Sequence, residues 1–138
     1  LESALKRLET ELPVIAEEAK MLLTTHAYEE TEGLQLQGSW RAVDLVEVRE
    51  LQVGPPEKLH CAVKGYAPKT CAALAALSAS LRAGNDDHPW LQEARVHLML
   101  PGTKIMEHTS THNQRLKVHC GLRNPGQVQL HIANHSIA

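Results

Sequence analysis

Between Lys104 and Gly126 the chain reads KIMEHTSTHNQRLKVHCGLRNPG, a dense run of groups able to do chemistry. His108, His112 and His119 can ligate a metal or carry a proton, while Arg115, Lys117 and Arg123 can hold an anion. Side chains alternate along a strand, so RLKVHCGL places Arg115, Lys117 and His119 on one face and Leu116, Val118 and Cys120 on the other. The same count over RVHLML sets Arg95, His97 and Met99 against Val96, Leu98 and Leu100. Two arrangements accommodate these stripes. On a sheet open to water they form the solvated face. In a sheet closed into a small barrel one stripe faces the lumen, where Lys117 and His119 need an anion, because isolated buried charges are costly.

Spacing separates the histidine pairs. His108/His112 and His131/His135 share an interval of four, which on a helix would aim both rings at one ion. In an extended segment four residues span about 13 Å. Ligands of one metal each lie at about 2 Å from it. Val128 to Asn134 reads as strand, which rejects His131/His135 as a chelating pair. His108/His112 sits at a loop-to-strand junction, where the objection is weaker. Neither cysteines nor carboxylates complete a zinc site near His108, and Ser110 stands where a His-x-Asp iron motif would carry its carboxylate. On spacing alone His108 reads as a lone polar residue.

The elements that must position these residues are legible in outline. Leu1, Leu5, Leu8 and Leu12 gather on one helical face, and Pro13 suits the first turn of a second helical segment with Ile15, Ala19, Leu22 and Leu23 on its apolar side. Residues 26–38 are polar and glycine-bearing, hence loop. Trp40 to Val48 reads as a strand, the Pro55-Pro56 region as an irregular connection, and Pro68 to Leu81 as a helix closed by Gly84 and Asn85. That helix turns Cys71, Leu74, Leu77, Ser78 and Leu81 to one side. Strands follow over Ala94–Leu100, Asn113–Leu122 and Val128–Asn134, separated by turns at Pro101-Gly102 and at RNPGQ. Helices first and short strands after them predict an α+β domain with an antiparallel β unit.

Bulk composition narrows the function classes. A chain of 138 residues holds one domain, and 14 basic against 16 acidic residues give no electrostatic footprint for nucleic acid. No apolar run reaches membrane-spanning length. Phenylalanine is absent and aromatics are 3%, so aliphatic side chains build the core. Three cysteines form no zinc pattern; Cys61 and Cys71 can pair across a short loop or remain free thiols.

The stretches APKTC (Ala67–Cys71), MLPGTKIMEHTSTHNQRLKVHCGL (Met99–Leu122) and IAN (Ile132–Asn134), with GSW (Gly38–Trp40) more weakly, resemble in order and spacing the aspartyl/asparaginyl β-hydroxylase family. These are Fe(II)- and 2-oxoglutarate-dependent oxygenases. The resemblance implies N-terminal helices packed on a partial double-stranded β-helix, a jelly-roll or cupin-like fold, with residues 1–90 as helical support and 91–138 as the first strands. It implies His108 as an iron ligand, and His97, Met99, Lys117 and His119 as the 2-oxoglutarate site. Lys117 replaces an Arg and loses its bidentate fork. His97 replaces a smaller Ser and, if protonated, still suits an anion. Ser110 replaces a Gly, in a family that does without the carboxylate ligand.

The family's second iron histidine and a distal-carboxylate Arg fall on strands after IAN. The resemblance therefore implies a C-terminally incomplete domain whose second ligand lies beyond Ala138. Its implied substrate is a peptide or protein bearing Asp or Asn; the alternative is a non-catalytic binding module of the same fold. An endoplasmic reticulum membrane location follows if an anchor lies upstream, and a cytoplasmic one otherwise.

Overall fold

The computed structural model describes residues 1–46, 59–82, 90–110 and 116–137. Helix α1 runs unbroken over Glu2–Thr25, with Pro13 inside it. The expected pair of helical segments is thus one helix. Proline removes the N–H that would bond to the Glu9 carbonyl, which normally breaks a helix. Here Ala4, Ile15, Ala19 and Leu22 are all buried and keep one 3.6-residue register across Pro13. A break would swing one half of that stripe off the core. At the far end the His26 N–H still bonds to the Leu22 carbonyl at 2.8 Å, and the helix ends there as the His26 backbone leaves helical geometry at φ −128°.

The segment read as loop holds two short strands, β1 (Tyr28–Glu29) and β2 (Gln35–Gln37). Strands of two and three residues are too brief for alternation to register. Strand β3 spans Trp40–Val46; the expected extension to Val48, and the Pro55-Pro56 connection, lie outside the described residues, as do Gly84 and Asn85. Helix α2 is Pro68–Arg82, opened by proline at its first position and burying Cys71, Leu74, Leu77 and Ser78 as its periodicity predicts. Strand β4 is Ala94–Met99 and β5 is Lys104–Ile105.

The C-terminal strands differ from expectation. Among the described residues of Asn113–Leu122, 116–122 form no strand, and 111–115 lie outside the description. Val128–Asn134 is not one strand either: β6 (Leu130–Ile132) turns at Ala133-Asn134 and pairs back with β7 (His135–Ile137). Ala133 takes φ 51°, a left-handed conformation whose reversal a strand pattern does not reveal.

Three small antiparallel sheets result, β1-β3-β4, β2-β5 and β6-β7. The chain is therefore α+β, as predicted. One core joins Ala19 and Leu22 of α1, Val43, Leu45 and Val46 of β3, Val63, Ala67, Cys71 and Leu74 around α2, and Val96 of β4. Register slips between Asp44 and Val46. That bulge lets Val46 join Val43 and Leu45 in the same core. Cys61 and Cys71 form a disulfide with Cα atoms 5.7 Å apart, which resolves the open choice between bridge and thiols. It ties the segment after β3, where Cys61 bridges Val46, to the first turns of α2.

Candidate functional site

Strand pairing assembles the outer face of the first sheet. Tyr28, Ala42 and His97 lie in one cross-strand row, Trp40 faces Met99 in the next, and Asp44 faces Arg95 on the other side. Val43 and Val96 point the opposite way, into the core. The expected alternation of Arg95, His97 and Met99 against Val96 therefore holds. Leu98 is only half-buried, and Leu100 lies beyond the strand, exposed.

At the centre of this face the Trp40 indole donates to His97 Nδ1 at 2.9 Å, the rings 5.6 Å apart. An indole N–H only donates, so Nδ1 carries the lone pair and the ring proton sits on Nε2. His97 is lowered from its ordinary pKa, chiefly by desolvation; Arg95 and Lys117 push the same way, while Glu30 and Glu32 oppose them. Its surroundings favour the neutral ring. The same coupling shows that Lys117 lies within electrostatic reach of His97, so two of the predicted anion-binding residues share a neighbourhood. Met99 is on the same face with half its surface exposed. His119 is exposed, and among the described residues no hydrogen bond or ion pair joins it to this pair.

Below His97 a charged group closes the face. Arg95 meets Asp44 at 2.7 Å, Glu93 at 2.9 Å and Glu32 at 3.0 Å, and Tyr28 Oη donates to both Asp44 oxygens at 3.0 Å. Desolvation, then the Asp44 hydrogen bond and charge, push the Tyr28 pKa up to about 12. The phenol is a fixed donor here, not a proton carrier.

His108 is placed by the second sheet. Gln35 and Gln37 pair with Ile105 and Lys104, and the Met106 N–H bonds to the Leu34 carbonyl at 2.8 Å. Behind them the Pro101-Gly102-Thr103 turn locks onto Gly38-Ser39. Thr103 Oγ1 accepts from the Ser39 N–H at 3.1 Å and lies 2.9 Å from the Ser39 carbonyl. Gly38 takes φ 90°, and a Cβ there would overlap Thr103. Only glycine fits. His108, two residues past Met106, sets Nδ1 at 2.8 Å from the Met106 carbonyl. A carbonyl only accepts, so Nδ1 carries the proton and Nε2 keeps its lone pair. This is the tautomer in which histidines bind metals, with the second nitrogen held by a carbonyl.

A model of the aspartyl/asparaginyl β-hydroxylase family matches residues 7–138. The chain belongs to that family. No curated protein and no solved structure matches it.

For this family member the remaining histidines separate clearly. His112 lies outside the described residues. His131 pairs across the hairpin with Ser136, bonding its hydroxyl at 2.8 Å, while His135 pairs with Ile132 on the opposite face, so the two rings do not share an ion. Among the described residues no group of three His, Cys, Asp or Glu is placed to hold a metal. Desolvation, then the Glu9 carboxylate, push the exposed Cys120 thiol up, which disfavours its thiolate form. None of the described helices is long and apolar enough to cross a membrane.

Residue spacing missed the Trp40–His97 pair, the Asp44–Arg95–Tyr28 group and the contact of Gly38 with Thr103. Composition offered one signal for the first: Trp40 is one of only two tryptophans in a chain with 3% aromatics.

Proposed function

We propose that this chain forms part of an Fe(II)- and 2-oxoglutarate-dependent oxygenase that hydroxylates Asp or Asn side chains in peptides or proteins, its sheets being the first strands of a double-stranded β-helix. The observation that carries this reading is the His108 tautomer: Nδ1–H spent on Met106, Nε2 open, in a chain matched to the family almost end to end. An imidazole nitrogen suits Fe(II), so the donor chemistry fits the metal at this position. Iron, when bound, supplies the activation of O2 that is coupled to conversion of 2-oxoglutarate into succinate and CO2. His108 would be one ligand.

The protein's other tasks are binding and orientation. Lys117 would meet a carboxylate of 2-oxoglutarate with a full positive charge, His97 would add a neutral N–H donor, and His119 and Met99 would line the same pocket. Lysine is a single charged point, so orientation of the carboxylate falls to its neighbours.

Titration of the chain with 2-oxoglutarate in the presence of Mn(II), an O2-inert stand-in for Fe(II), tests this. Lys117→Ala is expected to weaken 2-oxoglutarate binding by about tenfold or more, the scale of a lost charged hydrogen bond. His108→Ala is expected to remove the dependence on Mn(II). Equal affinities in wild type and both variants would sink the reading. The second reading, a binding module without turnover, is favoured by Lys117 and His97, which stand where the family pattern has an Arg and a Ser. Intact 2-oxoglutarate binding, with neither succinate nor an oxygen added to Asp- or Asn-bearing peptides under Fe(II) and O2, would select it.

A further inference from the structure

The carboxylate site proposed above differs from its family pattern at His97, and His97 is the residue that Trp40 holds. We propose that Trp40 is a positioning residue, which occupies Nδ1 of His97 and so presents the co-substrate carboxylate with a neutral Nε2–H donor beside Lys117. The inference rests on the 2-oxoglutarate reading but is separable from it.

A serine hydroxyl can donate or accept, and it rotates to suit its ligand. An imidazole has two nitrogens and three protonation states, so histidine at this position needs a device that selects one of them. Trp40 is that device. It is buried, it sits at the first position of β3, and β3 is held on both sides, by β1 and by β4. The indole N–H therefore approaches His97 from a rigid element. Its 2.9 Å bond exists only while Nδ1 is bare. Protonating the ring would set two N–H groups against each other. A neutral His97 has one donor left, Nε2–H, and a donor-only group favours a carboxylate or carbonyl oxygen over an amine.

The charges acting on His97 are Arg95 on its own strand, Glu30 and Glu32 after β1, and Lys117 from the segment after β5, while Asp44 of β3 lies opposite Arg95. Arg95 is already engaged with Asp44, Glu93 and Glu32. Lys117 makes no hydrogen bond or ion pair among the described residues, which leaves it as the cation for an incoming anion. Division of labour follows: Lys117 supplies charge, and His97 supplies direction.

The test begins with the 15N-labelled 138-residue chain and needs no variant. Long-range 1H–15N correlation of the His97 ring at pH 7 should show a neutral ring with the proton on Nε2, and its titration midpoint should lie below that of an ordinary histidine. A protonated ring, or a proton on Nδ1 at pH 7, overturns the proposal. Trp40→Phe then frees Nδ1 while keeping an aromatic ring. In that variant His97 should titrate closer to an ordinary histidine value, about 6.5. 2-Oxoglutarate should then bind about threefold or more tighter at pH 6 than at pH 7.5, because a charged donor bonds a carboxylate more strongly.

The same comparison in wild type is the reference, so pH effects from other histidines cancel. If the variant binds 2-oxoglutarate with the wild-type pH dependence, Trp40 has no positioning role although the site stands. If wild type binds no 2-oxoglutarate, the carboxylate site and this proposal fall together. Should Trp40→Phe fail to fold, His97→Ser in the otherwise wild-type chain carries the comparison. It should bind 2-oxoglutarate with a pH dependence different from wild type's on the acid side, where protonation of His97 would break its bond from Trp40; an identical profile overturns the role.

Discussion

At the scale of single residues, the structure turns on which atom of a polar group is occupied. His97 and His108 have the same side chain and opposite tautomers. A donor holds Nδ1 of one and an acceptor holds Nδ1 of the other. Glu18 follows the same logic in a structural role. Its two carboxylate oxygens accept the Lys69 and Thr70 N–H groups at 3.1 and 2.7 Å, capping α2 from a neighbouring helix because Pro68 and Ala67 offer no side-chain cap. Partial desolvation pushes the Glu18 pKa up, but the Thr70 hydroxyl and the Thr70 and Lys69 amides outweigh it, and the carboxyl titrates below its ordinary 4.5. A depressed carboxylate stabilises the fold above the unfolded-state value and loses that contribution as pH falls through the folded one. Glu18→Ala should cost about 1 kcal/mol at pH 7, as for a lost cap. Urea midpoints measured against pH should show the two proteins converging in acid. A gap that stays constant down to pH 3 would show that the charge of Glu18 plays no part.

At the scale of elements, the two motifs that bracket the candidate site are one structure. The Gly38-Ser39 end of β2 and the turn before β5 share Thr103, and β5 then delivers Met106 and His108. Gly38→Ala must both adopt an unfavourable positive φ and displace Thr103, for a loss of about 1–3 kcal/mol. Gly102→Ala carries the φ cost alone, since no atom lies within 4 Å of the added Cβ. The expected result is a larger fall in urea midpoint for Gly38→Ala than for Gly102→Ala, together with faster hydrogen exchange at the Met106 amide, whose bond to Leu34 depends on the same turn. Equal effects at the two glycines would mean that the contact with Thr103 is not what requires glycine. Helix α1 carries the complementary lesson, because a proline that should end a helix is overridden by the buried stripe on both sides of it.

At the scale of the molecule, α1, α2 and the β3-β4 pair share one aliphatic core, and the C-terminal third adds little to it. Leu122 packs against that core, whereas Leu116, Val118, Val128, Leu130, Ile132 and Ile137 are exposed. The Cys61–Cys71 bridge closes a loop at the core's edge, with ten residues of sequence separation. In the chain-entropy account such a loop contributes about 3 kcal/mol. Cys61→Ser, or reduction of the wild type, should lower unfolding stability by about that amount, read as a shift in urea midpoint that adding reductant to the variant does not enlarge. An unchanged midpoint would show that α2 is held by packing alone.

The amino-acid sequence by itself determined the helical faces, strands β3 and β4, the α+β order and the motifs carrying the family likeness. Each of these is written in local periodicity or local spacing, as with Cys71, Leu74, Leu77 and Ser78 on α2. Tertiary structure alone decided the rest: the single helix through Pro13, the hairpin at Ala133, the disulfide, and the partners of His97 and His108. Trp40 and His97 are 57 residues apart, and Ser39 and Thr103 are 64 apart. No periodicity encodes such pairs. They form because burying the two segments together obliges each N–H and ring nitrogen to find a partner there, and the partner is whatever the strand register brings opposite.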